Sequence, residues 1–218
     1  MRVKLLVFDL DGTLIDSKLD LAQAVNATRV DAKLPPLDDE TIFSYVGDGA
    51  PTLIRRALGE GASEEQARRS LEFFLSYYRA HMLDHTRPYP GVRQALDRLL
   101  AAGVQMAVLT NKPVRFSRDL LRGLGLGEHF RLVFGGNSFE NKKPHAEGLE
   151  KVMAELGAAP EETLVVGDSA VDVRTARNAG AWSCGVTYGF QPETLAGEPP
   201  DWLVHSMEEL ASRVLDEN

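Results

Sequence analysis

The sequence has a single cysteine, Cys184, so an intramolecular disulfide is excluded, and with it the small secreted proteins that depend on disulfides. It also lacks an excess of basic residues, because 24 Lys and Arg stand against 32 Asp and Glu, for a formal net charge of −8. A nucleic-acid-binding surface needs clustered positive charge, so we expect no nucleic-acid partner. These absences favour a protein of the reducing cytoplasm.

The amino terminus lacks a long apolar run. Its first apolar segment follows Lys4 and reaches Asp9 too soon to serve as a signal peptide or a membrane span, so we expect no membrane partner. What is present, 44% hydrophobic and 26% charged residues, is typical of a soluble globular protein with a full-sized core. One large domain with a smaller companion would fit this length.

Short apolar runs that end at polar residues or glycine predict buried parallel strands. The four clearest are Leu5–Phe8 before Asp9, 104–109 before Thr110, 132–134 before Gly135, and 164–166 before Gly167 and Asp168. Helical patterns lie between them at 92–102, 113–121 and 146–156, each stopped by a glycine. This alternation predicts an α/β fold with a Rossmann-like parallel sheet.

Residues 17–85 break the alternation, because they show helical periodicity without a convincing strand. Ser63 followed by Gln66 is a capping-box pattern that opens a long helix. We therefore predict an α/β core formed by residues 1–16 and 86–218, with an all-helical domain inserted at 17–85. The stiff segment 88–91 would return the chain to the core, and two adjacent linkers would let the inserted domain swing.

Carboxylates cluster where the predicted strands end. Ligands bind beyond the carboxyl ends of parallel strands, where Asp9, Asp11, Thr110 and Asp168 are all expected, with Asp172 about one helical turn further on. Two carboxylates about 4 Å apart repel by roughly 4 kcal/mol at an effective dielectric near 20, so several cannot meet without a cation. The ligands available are all oxygen, which favours a hard ion, and Mg²⁺ in particular for phosphate chemistry.

Positive charge and hydrogen-bond donors are predicted beside these acids. Lys143, before Pro144 in a polar loop, can supply a fixed positive charge, and it is favoured over its neighbour Lys142 because of the proline. Thr110 and Asn111 offer hydroxyl, amide and main-chain donors at the entrance to a helix. A metal, a lysine and such donors together indicate a phosphoryl-transfer site.

At these residues the chain resembles the haloacid dehalogenase-like hydrolase superfamily. The resemblance covers essentially the whole chain, and the helical insertion looks like that superfamily's helical cap. The four motifs stand in the expected order as Asp9-Leu10-Asp11-Gly12-Thr13, Thr110-Asn111, Lys143-Pro144, and Gly167-Asp168-Ser169 with Asp172.

The resemblance implies a mechanism through an aspartyl-phosphate. Asp9 would be the nucleophile, and Asp11 would protonate the leaving oxygen and then activate water. Thr110 and Lys143 would hold the phosphoryl group, and Asn111 would bind substrate.

The resemblance also implies how Mg²⁺ would be bound. The ligands would be the Asp9 carboxylate, the main-chain carbonyl of Asp11 and Asp168, with Asp172 in support. The partner would be a small phosphorylated metabolite, and the protein a monomer or homodimer.

Within the superfamily the chain is most similar to the phosphoglycolate phosphatases, through Asp9 to Ser17, 110–113, 134–136 and the loop 47–49 with Arg55. This similarity implies hydrolysis of 2-phosphoglycolate, with Arg55 as the donor to the substrate carboxylate. An alternative of equal weight is that Arg55 and Arg56 are only the solvated face of a helix.

Other functions stay open at this point. The same core could carry a sugar-phosphate phosphatase or a phosphomutase, although Thr13 favours hydrolysis because the resembling mutases often have Val there. A different class is a phospho-accepting, receiver-like signalling protein, which also forms an aspartyl-phosphate. The helical insertion and the Asp-x-Asp-Gly-Thr spacing argue against it, and the lifetime of the phosphorylated form would distinguish the two.

Overall fold

The chain forms two compact units. The computed structural model describes residues 2–217, with side chains to residue 216. One unit contains the chain up to Ile15 and from Pro88 onward, and the other is Asp16–Arg87. Among the described residues, none of the helices combines the length and the apolar character needed to cross a membrane.

Six parallel strands form the sheet of the first unit, in the order β5-β4-β1-β6-β7-β8. Two further short strands, β2 and β3, pair where the chain passes between the units. In chain order the strands are β1 Leu5–Phe8, β2 Ile15–Asp16, β3 Arg87–Pro88, β4 Gln105–Leu109, β5 Leu132–Phe134, β6 Thr163–Gly167, β7 Trp182–Val186 and β8 Trp202–Val204.

The first strand of the chain is a central strand of the sheet. All four β1 residues are buried, as an uninterrupted apolar run predicts for a strand covered on both faces. Phe8, the last residue of β1, pairs with Val108 of β4 and with Val166 of β6. The carboxyl ends of these three strands therefore lie at one edge, and the residues that follow them come together there.

The helices around the sheet are amphipathic and bury their apolar faces. They are α5 Val92–Ala101, α6 Val114–Gly123, α7 Glu147–Leu156, α8 Ala170–Asn178 and α9 Met207–Glu217, numbered after the four helices of the other unit. In α7, Leu149 and Val152 pack with Leu5 and Val7 of β1. Gly157 ends that helix in the left-handed conformation, with φ of 65°.

The second unit is helical, with α1 Lys18–Asp31, α2 Asp39–Ser44, α3 Ala50–Leu58 and α4 Glu64–His81. As predicted, Ser63 caps α4, because its hydroxyl accepts a hydrogen bond from the Gln66 amide at 3.2 Å. Asp20 of α1 is buried and accepts hydrogen bonds from the main-chain amides of His85 and Thr86. This carboxylate ties the end of the helical segment to its beginning.

The predicted α/β fold with a helical insertion is confirmed, and so are the strands at β1, β4, β5 and β6. The strand β7 was not predicted, because Ser183 and Gly185 interrupt its apolar pattern. The interpretation of residues 17–85 as a cap for the active site stays a prediction.

Candidate active site

The acids of the first and fourth motifs lie at the carboxyl edge of the sheet. Asp9 continues directly from β1, and its amide donates a hydrogen bond to the Val166 carbonyl of β6 at 2.9 Å. Gly12 then turns the chain with φ of 85°, and a Cβ atom on it would collide with the Asp168 carboxylate. Only glycine suits this position, because it combines a positive φ with close approach to another residue.

Lys143 lies within the cluster of acids, whereas Lys142 is exposed. The Lys143 ammonium donates to Asp172 Oδ1 at 2.6 Å and lies 3.0 Å from Asp9 Oδ1. Burial alone would lower the pKa of Lys143, but the carboxylates of Asp172 and Asp9 outweigh it and raise that pKa above its usual value. Lys143 is therefore a permanent positive charge beside Asp9.

Asp168 is held from three directions. Its Oδ1 accepts a hydrogen bond from the Thr13 hydroxyl at 3.2 Å, and its Oδ2 accepts from the amides of Phe190 at 2.6 Å and Gln191 at 3.2 Å. Burial, followed by the charges of Asp172 and Asp9, raises the pKa of Asp168 to about 7. A cation bound beside it would favour the ionised form.

Asp9, Asp168 and Asp172 form a cluster suited to a metal ion. Each offers one carboxylate oxygen, and these oxygens lie within 4.8 Å of one another. Asp9 Oδ1 is buried, and among the described residues it has the ion pair with Lys143 at 3.0 Å but no further hydrogen-bond partner. An all-oxygen set with such an atom fits a hard cation.

Asp172 has a second, structural role. Its Oδ2 accepts hydrogen bonds from the amide and the hydroxyl of Ser169, at 3.2 and 2.8 Å, at the start of α8. Burial and the charge of Asp9 raise its pKa, and the attraction of Lys143 opposes them. Helix capping and charge balance thus use the same carboxylate.

Thr110 and Asn111 connect the loops of the site. Thr110 Oγ1 accepts a hydrogen bond from the Lys112 amide at 3.3 Å, and Asn111 Nδ2 donates to the Lys143 carbonyl at 3.1 Å. Asn111 therefore helps to place the loop that carries Lys143. The substrate-binding roles of Thr110 and Asn111 stay predictions.

Lys112 is a further residue of this site, and its sequence pattern alone predicts no role for it. Its ammonium contacts both carboxylate oxygens of Asp11, at 2.9 and 3.2 Å, and its side chain is 7% exposed. The Asp11 carboxylate is thus paired with Lys112, and it does not belong to the three-carboxylate cluster. The only sequence signal for Lys112 is its place directly after Thr110 and Asn111.

Arg55 belongs to the helical unit. It lies on α3 with an exposed side chain, and its guanidinium pairs with Glu64 at 2.7 Å. Its neighbour Arg56 pairs with Asp48 at 2.6 Å. Substrate binding by Arg55 stays a prediction.

Comparison with known proteins identifies relatives over nearly the whole chain. The chain is 43% identical to the phosphoglycolate phosphatase of Chromobacterium violaceum, over 96% of this chain and 95% of that one. It matches the crystal structure of a predicted phosphoglycolate phosphatase from Haemophilus somnus with a TM-score of 0.93 and 31% identity, over 98% of each chain.

The fold is shared more widely than the sequence. A β-phosphoglucomutase from Clostridium difficile superposes with a TM-score of 0.81 at 20% identity, over 99% of this chain and 96% of that one, which shows a common fold alone. The sequence model of the haloacid dehalogenase-like hydrolases matches residues 6–186, which span the four motifs. The resemblance inferred from those motifs is confirmed, and the chain belongs to the haloacid dehalogenase-like hydrolase family.

Proposed function

We propose that this chain is a magnesium-dependent phosphatase that hydrolyses 2-phosphoglycolate to glycolate and phosphate. The observation that supports it most is the setting of Asp9, whose carboxylate follows β1 at the ligand-binding edge with the Lys143 ammonium 3.0 Å away. The named function of relatives such as that of Chromobacterium violaceum supports the choice of substrate.

The first chemical step forms the aspartyl-phosphate. An Asp9 oxygen attacks phosphorus while the bond from phosphorus to the ester oxygen breaks, and that oxygen takes a proton from Asp11. Lys143 and Thr110 stabilise the charge of the phosphoryl group during transfer. Glycolate then leaves with its hydroxyl group restored.

The second step returns the enzyme to its starting state. Asp11, now a carboxylate, takes a proton from a water molecule, whose oxygen attacks phosphorus and releases phosphate and the Asp9 carboxylate. Asp9, Asp168 and the main-chain carbonyl of Asp11 would hold Mg²⁺, with Asp172 in support, and the bound ion would supply positive charge to the phosphoryl group.

A substrate panel tests this proposal. The purified protein with Mg²⁺ is given 2-phosphoglycolate, hexose phosphates, glycerol phosphate and an aryl phosphate, and released phosphate is measured. We expect kcat/KM for 2-phosphoglycolate to exceed that for the other alkyl esters by at least about tenfold, or 1.4 kcal/mol. A hexose phosphate as the best substrate would overturn the substrate assignment, and a stable phosphoprotein that releases no phosphate would favour a receiver.

Arg55 is the residue we propose for recognition of the substrate carboxylate. Guanidinium matches carboxylate geometry, and a charge-assisted hydrogen bond contributes about 1.5–3 kcal/mol. Arg55→Ala should therefore lower kcat/KM for 2-phosphoglycolate by roughly 10- to 150-fold, while an aryl phosphate without a carboxylate is little affected. Pairing with Glu64 favours the lower end of this range.

The control is Arg56→Ala, because Arg56 is an adjacent arginine on α3 that also pairs with an acid. We expect it to leave both substrates near wild-type values. Equal losses on both substrates in the Arg55 variant would instead indicate a destabilised helical unit. Cytoplasmic location and a monomeric or homodimeric state stay predictions.

A further inference from the structure

Lys112 is a buried lysine whose ammonium contacts the Asp11 carboxylate. A lysine in a loop is usually solvated, because removing its ammonium from water is costly unless the charge is paired. Here the side chain is 7% exposed, and the ammonium lies within hydrogen-bond distance of both Asp11 oxygens, at 2.9 and 3.2 Å. Two contacts to one carboxylate restrict its rotation more than a single contact would.

The main chain of Lys112 is also fixed. Its amide donates to Thr110 Oγ1 at 3.3 Å, and its carbonyl accepts from the Gly136 amide at 2.9 Å. Gly135 and Gly136 approach so closely that a Cβ on Gly135 would collide with the Lys112 carbonyl and a Cβ on Gly136 with the Asn111 carbonyl. The loop after β5 therefore holds the segment after β4, and the Lys112 side chain extends to Asp11 from a rigid base.

The two buried lysines of the site pair with different acids. Lys143 contacts Asp9 and Asp172, whereas Lys112 contacts Asp11. Asp11 has to carry its proton to the ester oxygen while Asp9 attacks phosphorus from the opposite side. Its carboxyl group must therefore stay apart from the neighbouring carboxylate cluster.

We propose that Lys112 is a positioning residue that holds the Asp11 carboxyl group in the orientation needed to protonate the leaving oxygen. This inference rests on the proposed phosphatase function. Lys112 donates to the carboxyl oxygen that keeps no proton, while the other oxygen gives its proton to the ester oxygen as the bond to phosphorus breaks. The ammonium keeps its own protons throughout.

The dependence of kcat/KM on the leaving group tests the positioning role separately from other effects. A series of aryl phosphates, from nitrophenyl to alkyl-substituted phenyl, varies the need for proton donation without adding a carboxylate. For Lys112→Met we expect kcat/KM to fall by roughly 100-fold at the poor-leaving-group end, because general acid catalysis contributes about 10²–10⁴-fold, and by less than about threefold for the nitrophenyl ester. The plot against leaving-group pKa becomes steeper than that of the wild type.

Lys142→Met is the matched control, because Lys142 is an exposed lysine next to the buried Lys143, and we expect it to follow the wild-type line. Lys112→Gln, which keeps a neutral donor, replaces the methionine variant if melting curves show that the latter is unfolded. A parallel downward shift for all esters would overturn the positioning role. A wild-type protein that hydrolyses none of the esters would instead overturn the proposed function, and the role of Lys112 with it.

Discussion

Asp9→Asn is expected to abolish turnover while leaving the fold intact. The amide preserves the shape of the side chain but removes the charged oxygen that attacks phosphorus. We expect Lys143 to keep its hydrogen bond to Asp172, which is 2.6 Å long in the wild type, so its ammonium is not left unpaired. We expect phosphate release to fall by about 10⁴-fold or more, with a melting temperature close to that of the wild type.

A partly exposed acid outside the site provides the control for this variant. Asp119 lies on the surface of α6 and pairs with Arg122 at 3.3 Å, so Asp119→Asn should retain full turnover. Rapid quenching during turnover should trap the phosphorylated form of the wild type, and mass spectrometry should then show the added mass of one phosphoryl group. The Asp9→Asn variant should show no such addition. Turnover at the wild-type rate in a clean preparation of Asp9→Asn would rule out the aspartyl-phosphate.

Removal of divalent ions is expected to have a comparably large effect. Asp9, Asp11, Asp168 and Asp172 contribute four carboxylates to this edge of the sheet, against the two ammonium groups of Lys112 and Lys143. When all are ionised, this set has an excess of two negative charges, which a divalent cation balances. We therefore expect a chelator to eliminate phosphate release and Mg²⁺ to restore it.

Activity with a different ion and direct measurement of Mg²⁺ binding extend this test. Ca²⁺ should oppose turnover, because the larger ion takes more oxygen ligands and disturbs the alignment of the transfer. Calorimetry should show Mg²⁺ binding to the wild type and to Asp119→Asn, and much weaker binding to Asp168→Asn. Full activity in excess chelator would contradict a metal-dependent mechanism.

The sequence was most informative where one side chain or one apolar run determines the structure. The strand β1 is an unbroken apolar segment, and the acids after it belong to a motif with fixed spacing, so their position at the sheet edge could be predicted. The pairing of Lys112 with Asp11 could not, because it joins residues 101 positions apart and depends on how two loops pack.

The loop after β7 makes contacts that could not be predicted from the sequence either. Phe190 and Gln191 hold Asp168 through main-chain amides, which every residue except proline possesses, so no residue type marks the contact. Gly189 is required there because a Cβ would meet Asp168 and the Gly12 carbonyl. A glycine in a sequence indicates such a close approach only after the fold is known.

The sheet order also bears on the synthesis of the chain by the ribosome. The strand β1 is made first, yet its two hydrogen-bonding neighbours, β4 and β6, are completed only at residues 109 and 167. The helical segment is complete once residue 87 has been added, so it can form its helices before the partner strands of β1 are made. Both edges of β1 lack their partner strands until β4 is made, and one edge lacks its partner until β6 is made, which favours association with other chains. A nascent chain of this protein therefore exposes an unpaired edge of β1 until β6 has left the ribosome.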